Sequence, residues 1–350
     1  MSRKWLRTAA LATGLAALAA GSALLLHSAL EGPGRFVHSR DIAIPKMSVS
    51  LSITFISAES QILLNPDGPP CIYDLQSGRE LRVFEGGGYL TVTPDGRLAA
   101  LDETSGTFKK PGEVHVKVFK LDTAEKVRML SGPSRRGTPT LAWSPDGRWL
   151  ARGNRENSID LWDLRSDGGL RNLLPDTMMD NSIEALVFSR DGRLMISGES
   201  RGGVRVRAAT AWEVVQNFRF PMYETDEQMV MSIALSADGS LLAAGGGFAW
   251  SSSETTRSHG IVKIWRLSDW SEVSTFETPE LVMGIAFSPD GTYLASSVWK
   301  EARIWDLRTG RNVATLPVSA NGWPGIAFSP EGLLATTNSK GVLSLWKKSP

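Results

Sequence analysis

One segment recurs along this chain at a spacing that leaves few folds open: an apolar run, a turn built on Ser, Pro, an acid and Gly, then a second apolar run. Clear copies are Leu141 to Leu150 (LAWSPDGRWL), Leu186 to Met195 (LVFSRDGRLM) and Ile285 to Leu294 (IAFSPDGTYL). Leu90 to Leu98, Ile233 to Leu242 and Ile326 to Leu334 are weaker, and Ile53 to Leu63 is the most degenerate. The turn acids Glu59, Asp95, Asp146, Asp191, Asp238, Asp290 and Glu331 lie about 45 residues apart on average. Each copy reads as strand, turn, strand. Pro presets φ in the turn, Asp bonds its own backbone, and Gly accepts the left-handed conformation. The acids are therefore assigned to turn formation rather than to catalysis.

A third strand with an aromatic near its end follows most hairpins: Ile72-Tyr73-Asp74-Leu75, Val118-Phe119-Lys120-Leu121, Leu161-Trp162-Asp163-Leu164, Ile264-Trp265-Arg266-Leu267, Ile304-Trp305-Asp306-Leu307 and Leu345-Trp346. A fourth follows, as in Glu80 to Phe84, Lys126 to Leu130, Glu213 to Phe218, Glu272 to Phe276 and Asn312 to Leu316. Over roughly residues 36 to 348 the series resembles the Trp-Asp signature of the WD40-repeat family, in a bacterial-type form that is membrane-anchored or exported. The resemblance implies an all-β fold, a single seven-bladed β-propeller with four strands per blade. Two departures from the pattern stand out. Arg207 occupies the Trp position of the Val204 to Ala208 strand, and the Gly-His pair that commonly precedes the first strand of such repeats is missing. The histidines are His27, His38, His115 and His259 only.

The last repeat reaches Lys347, Lys348, Ser349 and Pro350 just after its third strand, which leaves a sheet edge to be covered. Phe36 to Ile44, with Ile42 and Ile44 at strand spacing, is expected to join the strand holding Leu343 and Leu345.

Ahead of the repeats, Arg3, Lys4 and Arg7 form a basic region at 1–7, and Thr8 to Leu30 contains no charged residue. As a helix, about 23 residues at ~1.5 Å each span roughly 35 Å, enough for a bilayer core of ~30 Å. Residues 8–30 thus read as a signal anchor, with 31–35 a linker and 36–350 the propeller. The alternative is a cleaved signal, with small-residue pairs at Ala17 and Ala19 or at Gly21 and Ala23. The positive flank stays in the cytoplasm in either case. The expectation is a single-pass membrane protein with an extracytoplasmic C-terminal domain, or a secreted or periplasmic one after cleavage.

The 38 basic and 37 acidic residues nearly cancel, to a net charge of +1, which argues against a nucleic-acid partner and leaves 8–30 as the sole membrane contact. One cysteine, Cys71, excludes an intrachain disulfide and reads as a small buried apolar side chain. No ligand spacing for a metal is present, and no cofactor is expected. A nucleophile elbow and a phosphate loop are likewise missing: Gly86 to Gly88 and Gly245 to Gly247 lack the helix and Lys that a cradle needs. Ser144 to Trp149 carries an Asp-box-like stretch with the wrong spacing to Trp. No catalytic residue is assigned.

In WD40 propellers, the loops entering the first strand and those between the second and third strands share one face, the top. The resemblance therefore gathers Arg135, Arg136, Met178, Met179, Tyr223, Trp250, Trp299 and Trp323 there as partner-binding candidates. Those residue types favour protein interfaces, although they also pin loops by packing inward. Two longer insertions, Glu103 to Glu113 and Gly246 to Gly260, are expected as top-face loops. Trp212 and Trp270 fall on the opposite face, as turn packing. The expected function is a non-catalytic scaffold for a protein or peptide, with the propeller itself monomeric. The alternatives are a hydrolase or lyase using the central channel and a structural ectodomain of an envelope assembly.

Overall fold

The computed structural model describes residues 36–44, 53–57, 60–65, 69–102, 113–133, 140–154, 156–166, 169–173, 181–221, 228–251, 256–318, 324–338 and 340–349. They form seven four-stranded antiparallel sheets. Blade 1 holds β2 (Ile53–Ser57), β3 (Gln61–Leu64), β4 (Cys71–Asp74) and β5 (Glu80–Val83). Blade 2 holds β6 (Tyr89–Val92), β7 (Leu98–Asp102), β8 (Glu113–Lys120) and β9 (Lys126–Pro133). Blade 3 holds β10 (Thr140–Trp143), β11 (Trp149–Gly153), β12 (Ile159–Asp163) and β13 (Leu170–Leu173). Blade 4 holds β14 (Ile183–Phe188), β15 (Leu194–Glu199), β16 (Gly203–Ala208) and β17 (Val214–Arg219). Blade 5 holds β18 (Met229–Leu235), β19 (Leu241–Ser251), β20 (Thr256–Arg266) and β21 (Glu272–Thr278). Blade 6 holds β22 (Gly284–Phe287), β23 (Tyr293–Ser297), β24 (Glu301–Asp306) and β25 (Arg311–Pro317). Blade 7 joins β26 (Ile326–Phe328), β27 (Leu334–Thr337) and β28 (Val342–Lys348) to β1 (Phe36–Ala43).

The hairpin turns explain why the repeat folds as it does. In blade 3 the Ser144 hydroxyl donates to Asp146 Oδ1 at 2.7 Å, and its oxygen accepts the Trp149 amide at 2.8 Å. Asp146 Oδ1 also accepts the Arg148 amide at 3.1 Å, while Gly147 adopts φ 65°. The same set recurs at Thr93 with Asp95, Ser189 with Asp191, Ser236 with Asp238 and Ser288 with Asp290. One hydroxyl and one carboxylate thus satisfy the turn backbone locally, so the flanking strands can pair at once.

The core is divided into seven layers, each lying between two neighbouring blades. Leu63, Ile72, Leu90 and Phe119 fill the layer between blades 1 and 2, and Val118, Leu130, Trp143 and Trp162 the next. A blade is therefore buried on both faces only by its neighbours. β1 serves two layers at once. Ile42 packs with Leu343, Leu345 and Ile53 toward blade 1. Phe36 packs toward blade 6, edge-on to Tyr293 at 5.6 Å and to Phe328 at 5.8 Å. Its ladder with β28 pairs Phe36 with Lys348, Arg40 with Leu345 and Ala43 with Val342. The Ser344 hydroxyl donates to Asp41 Oδ1 at 2.6 Å across that seam.

Arginines on outer strands tie blades together by their backbones. Arg40 donates to the carbonyls of Leu75 and Gln76 at 3.1 and 2.8 Å, and Arg128 to those of Leu164 and Ser166, both at 3.0 Å. Arg207 solves a different problem. It is 3% exposed, faces Met195 in the ladder as Trp305 faces Leu294, and lies with Nη1 3.4 Å from Ser197 Oγ. Trp305 and Trp346 give their indole N–H to Ser296 and Thr336 at the matching position, at 2.9 and 3.0 Å. The guanidinium replaces the indole as a donor to the same hydroxyl position.

Trp212 and Trp270 stand at φ 67° and 62° in turns where blades 1 and 6 carry Gly78 and Gly310. Such backbone costs about 1–2 kcal/mol for a side chain with Cβ. Packing offsets it for Trp212, which is buried edge-on to Trp149 at 5.3 Å. Cys71 is buried, and that burial pushes its thiol up to about 12, so it is inert at neutral pH.

If β1 holds the ring shut, loosening it must cost more than a surface change. Phe36→Ala is expected to lower unfolding free energy by about 3–5 kcal/mol and Ile42→Ala by about 2–5 kcal/mol. Chemical denaturation of the full chain measures both. Losses under ~1 kcal/mol would mean that β1 is an appendage.

Candidate functional site

The end of the ring where second strands hand over to third strands is the top face expected from the repeat pattern. Trp299 sits there, in the short turn between β23 and β24, and is 41% exposed. Trp250 lies near the end of β19, opposite Arg257 of β20. Arg135, Arg136, Met178, Met179, Tyr223 and Trp323 lie outside the described residues, as does the insertion 103–112.

The second insertion corrects an expectation. Gly246 to Gly260 is not a loop: β19 and β20 continue past the blade as a ladder from Leu241–Arg266 to Ser251–Thr256. The reason is a run of close backbone approaches at its base. A Cβ on Gly246 would overlap the Met229 carbonyl oxygen, so only glycine lets the ribbon pass. Above the base, Phe248 and His259 face each other at 6.1 Å, and the Ser258 hydroxyl donates to the Phe248 carbonyl at 3.2 Å.

Beneath this face lies a group of buried charges that the sequence did not advertise. Arg152, 1% exposed, pairs through Nε with Asp102 of blade 2 and lies with Nη1 3.5 Å from Asp160 Oδ2. Asn172 donates to Asp160 Oδ1 at 2.7 Å. The only sequence hint was an Arg in the second strand of blade 3 where other blades carry Ser, Thr, Ala or Leu. Three charges taken from water are stable only as a set. They pin blades 2 and 3 at the top end. In blade 4 Glu199 is paired with Arg205 at 3.0 Å, and Asn65 bridges blades 1 and 2 through both the amide and carbonyl of Leu90.

The central channel holds a space of about 180 Å³, ringed by one first-strand side from each blade, with Ile53, Tyr89, Thr140, Glu184, Met231, Met283 and Gly325 among its walls. Among the described residues, Glu184 is the one carboxylate in that wall, and it accepts a short bond from Ser182. Two carboxylates, or an acid with a nucleophile and base, are what hydrolytic chemistry needs. Among the described residues no three His, Cys, Asp or Glu side chains are grouped to hold a metal. The turn aspartates are engaged in their turns: the hydroxyls of Thr93, Ser189 and Ser236 hold Asp95, Asp191 and Asp238 below the usual carboxylate range. A carboxylate held charged by its own turn is no general acid at neutral pH.

Comparison with known proteins agrees with the geometry. Residues 125–163 and 270–306 match the family model described as WD domain, G-beta repeat. "Periodic tryptophan protein 2" of Arabidopsis thaliana is 26% identical over 214 residues, 59% of this chain and 21% of its own length. "Target of rapamycin complex subunit wat1" of Schizosaccharomyces pombe is 23% identical over 226 residues, covering 62% of this chain and 63% of the relative. "Transducin beta-like protein 3" of Rattus norvegicus is 23% identical over 265 residues, 72% of this chain and 31% of the relative. The chain thus spans less than two thirds of each of these relatives.

Two outcomes follow from this site. Arg152→Met, which leaves Asp102 and Asp160 buried without their cation, is expected to cost about 3–5 kcal/mol of stability, and replacing all three by apolar residues to recover most of it. Ser189→Ala is expected to raise the pKa of Asp191 back toward 3.8, read by carboxyl-carbon NMR. A carboxylate with a lowered folded pKa stabilises the fold above its unfolded value, and that contribution is lost as pH falls through the folded one. The variant should therefore lose less stability than the wild type on acidification below about pH 4.

Proposed function

We propose that this chain, which carries repeats of the WD40 family and folds as their seven-bladed propeller, is a non-catalytic platform that binds a protein or peptide through its top face. The observation that carries the reading is the exposure of Trp299 on a rigid blade end, at the same end from which the β19–β20 ribbon projects. A large aromatic held by a short turn offers apolar area at little ordering cost, which is what an interface anchor requires. The ribbon adds an arm beside it. Arg135, Arg136, Met178, Met179, Tyr223, Trp250 and Trp323 belong to segments that enter first strands or cap second strands, and we assign them to the same contact surface. Among the described residues the channel wall offers one carboxylate, Glu184, where hydrolytic chemistry asks for a pair.

The platform is placed outside the cytoplasm in this reading, held by residues 8–30 as an anchor. The support is physical: an uncharged apolar run of membrane-spanning length behind three basic residues. Among the described residues no helix is long and apolar enough to cross a membrane, and 8–30 lie outside them. β1 begins only a few residues after that run, at the turn end of blade 7, so an anchored propeller presents its top face away from the bilayer.

Affinity capture of the full chain from its source membrane fraction, beside a variant with Trp250, Trp299, Tyr223 and Trp323 changed to Ala, tests both parts. The expected result is a partner recovered by the wild type and lost by the folded variant, on a chain whose intact mass includes residues 8–30. Equal recovery by both would move the binding surface to the sides or channel. A mass that starts beyond Ala23 would make the protein exported rather than anchored.

A further inference from the structure

A cavity of about 360 Å³ opens at the turn end of the ring, between blades 6 and 7, on the face opposite Trp299. Three aromatic rings, Phe36, Tyr293 and Phe328, line it, joined edge to face. Its rim carries the turn acids of the two blades, Asp290 and Glu331. Asp290 Oδ1 is engaged by the Ser288 hydroxyl at 2.6 Å and the Thr292 amide at 3.0 Å. Asp290 Oδ2 lies 4.0 Å from Lys348 Nζ, and that ammonium stands over the Tyr293 ring, 4.9 Å from its centroid.

Glu331 differs from the turn aspartates. The Ser329 hydroxyl accepts the Leu333 amide at 3.1 Å, as the matching hydroxyls do in the aspartate turns, but among the described residues the Glu331 carboxylate, one methylene longer than that of Asp, makes no hydrogen bond or ion pair. The cavity therefore pairs an aromatic lining with two rim carboxylates, one of them uncommitted. Lys348, which is 45% exposed at its side chain, already shows what fits: a cation on an alkyl stem, laid against Tyr293. Aromatic faces attract such a cation through their quadrupole, and its methylenes cover apolar surface.

We propose that this cavity binds a lysine or arginine side chain of a peptide, which takes the place that Lys348 fills in the free protein. Lys348 acts as a tethered competitor, half in water and easily displaced. The site is separate from the top-face platform, and a protein that uses both would hold two segments at opposite ends of the ring.

Fluorescence polarisation with the full-length protein in detergent tests this. The probes are end-blocked, dye-labelled Gly-Gly-Arg-Gly-Gly, its Lys analogue and its Gln analogue. The expected result is saturable binding of the Arg and Lys peptides and none of the Gln peptide. Lys348→Met should tighten binding about two- to fivefold by freeing the ring. Glu331→Gln with Asp290→Asn should weaken it about tenfold, with Asn keeping the turn's acceptor. Trp299→Ala should leave it unchanged, which separates this site from the platform. Absence of saturable binding in both the wild type and Lys348→Met would overturn the proposal. So would indifference to the Glu331 and Asp290 changes, or binding of free phosphoethanolamine in place of the peptides.

Discussion

The antiparallel ladder between β1 and β28 is the contact on which the rest of this structure depends. Because every part of the core lies between two blades, a seven-blade ring is buried everywhere or opened along a whole layer. A blade of three strands would expose β28 as a bare edge and strip the outer part of two layers. β1 covers that edge and puts Phe36 into one layer and Ile42 into the other. Strands far apart in sequence thus meet at the seam, where the loop-closure cost of the ring is met by apolar burial.

Within that constraint, individual blades satisfy the same demands with different chemistry. The inner hydroxyl of the second strand needs a donor, which Trp305 and Trp346 provide by indole and Arg207 by guanidinium. The turn before the fourth strand needs a left-handed residue, provided by Gly78 and Gly310 in two blades and by Trp212 and Trp270 in two others. In the first case the donor is kept while the ring is lost. In the second, packing against Trp149 or Phe218 outweighs the backbone strain. The Arg152 group is costlier, because it trades an apolar layer for charges that hold only together.

These particulars show what sequence can carry. The Ser-Pro-Asp-Gly turns were legible because their bonds are made within a few residues, and the period of the aromatics followed from strand alternation. The ribbon of β19 and β20 was not, since Gly245 to Gly247 reads like a flexible loop until the backbones of Met229 and His259 are seen to crowd it. Arg152 was missed for a similar reason: its partners Asp102 and Asp160 come from different strands and blades. Of the surface candidates, Trp299 stands exposed at the top end of blade 6, and Trp250 lies in the ribbon opposite Arg257. The seam cavity went unread because Phe36, Tyr293 and Lys348 are distant in the chain and meet only when the ring closes.

A platform reading asks for a scaffold that holds both faces rigid, and here rigidity rests on closure. Native-state hydrogen exchange of the full chain tests that claim most directly. If the ring is one latched unit, the amides of the β1–β28 ladder will open with the same free energy as those of the inner strands β11, β15 and β23, in a single global event. If the ladder instead exchanges at a much lower free energy while the other blades stay protected, the ring does not depend on its seam, and closure by β1 is not what holds the propeller together.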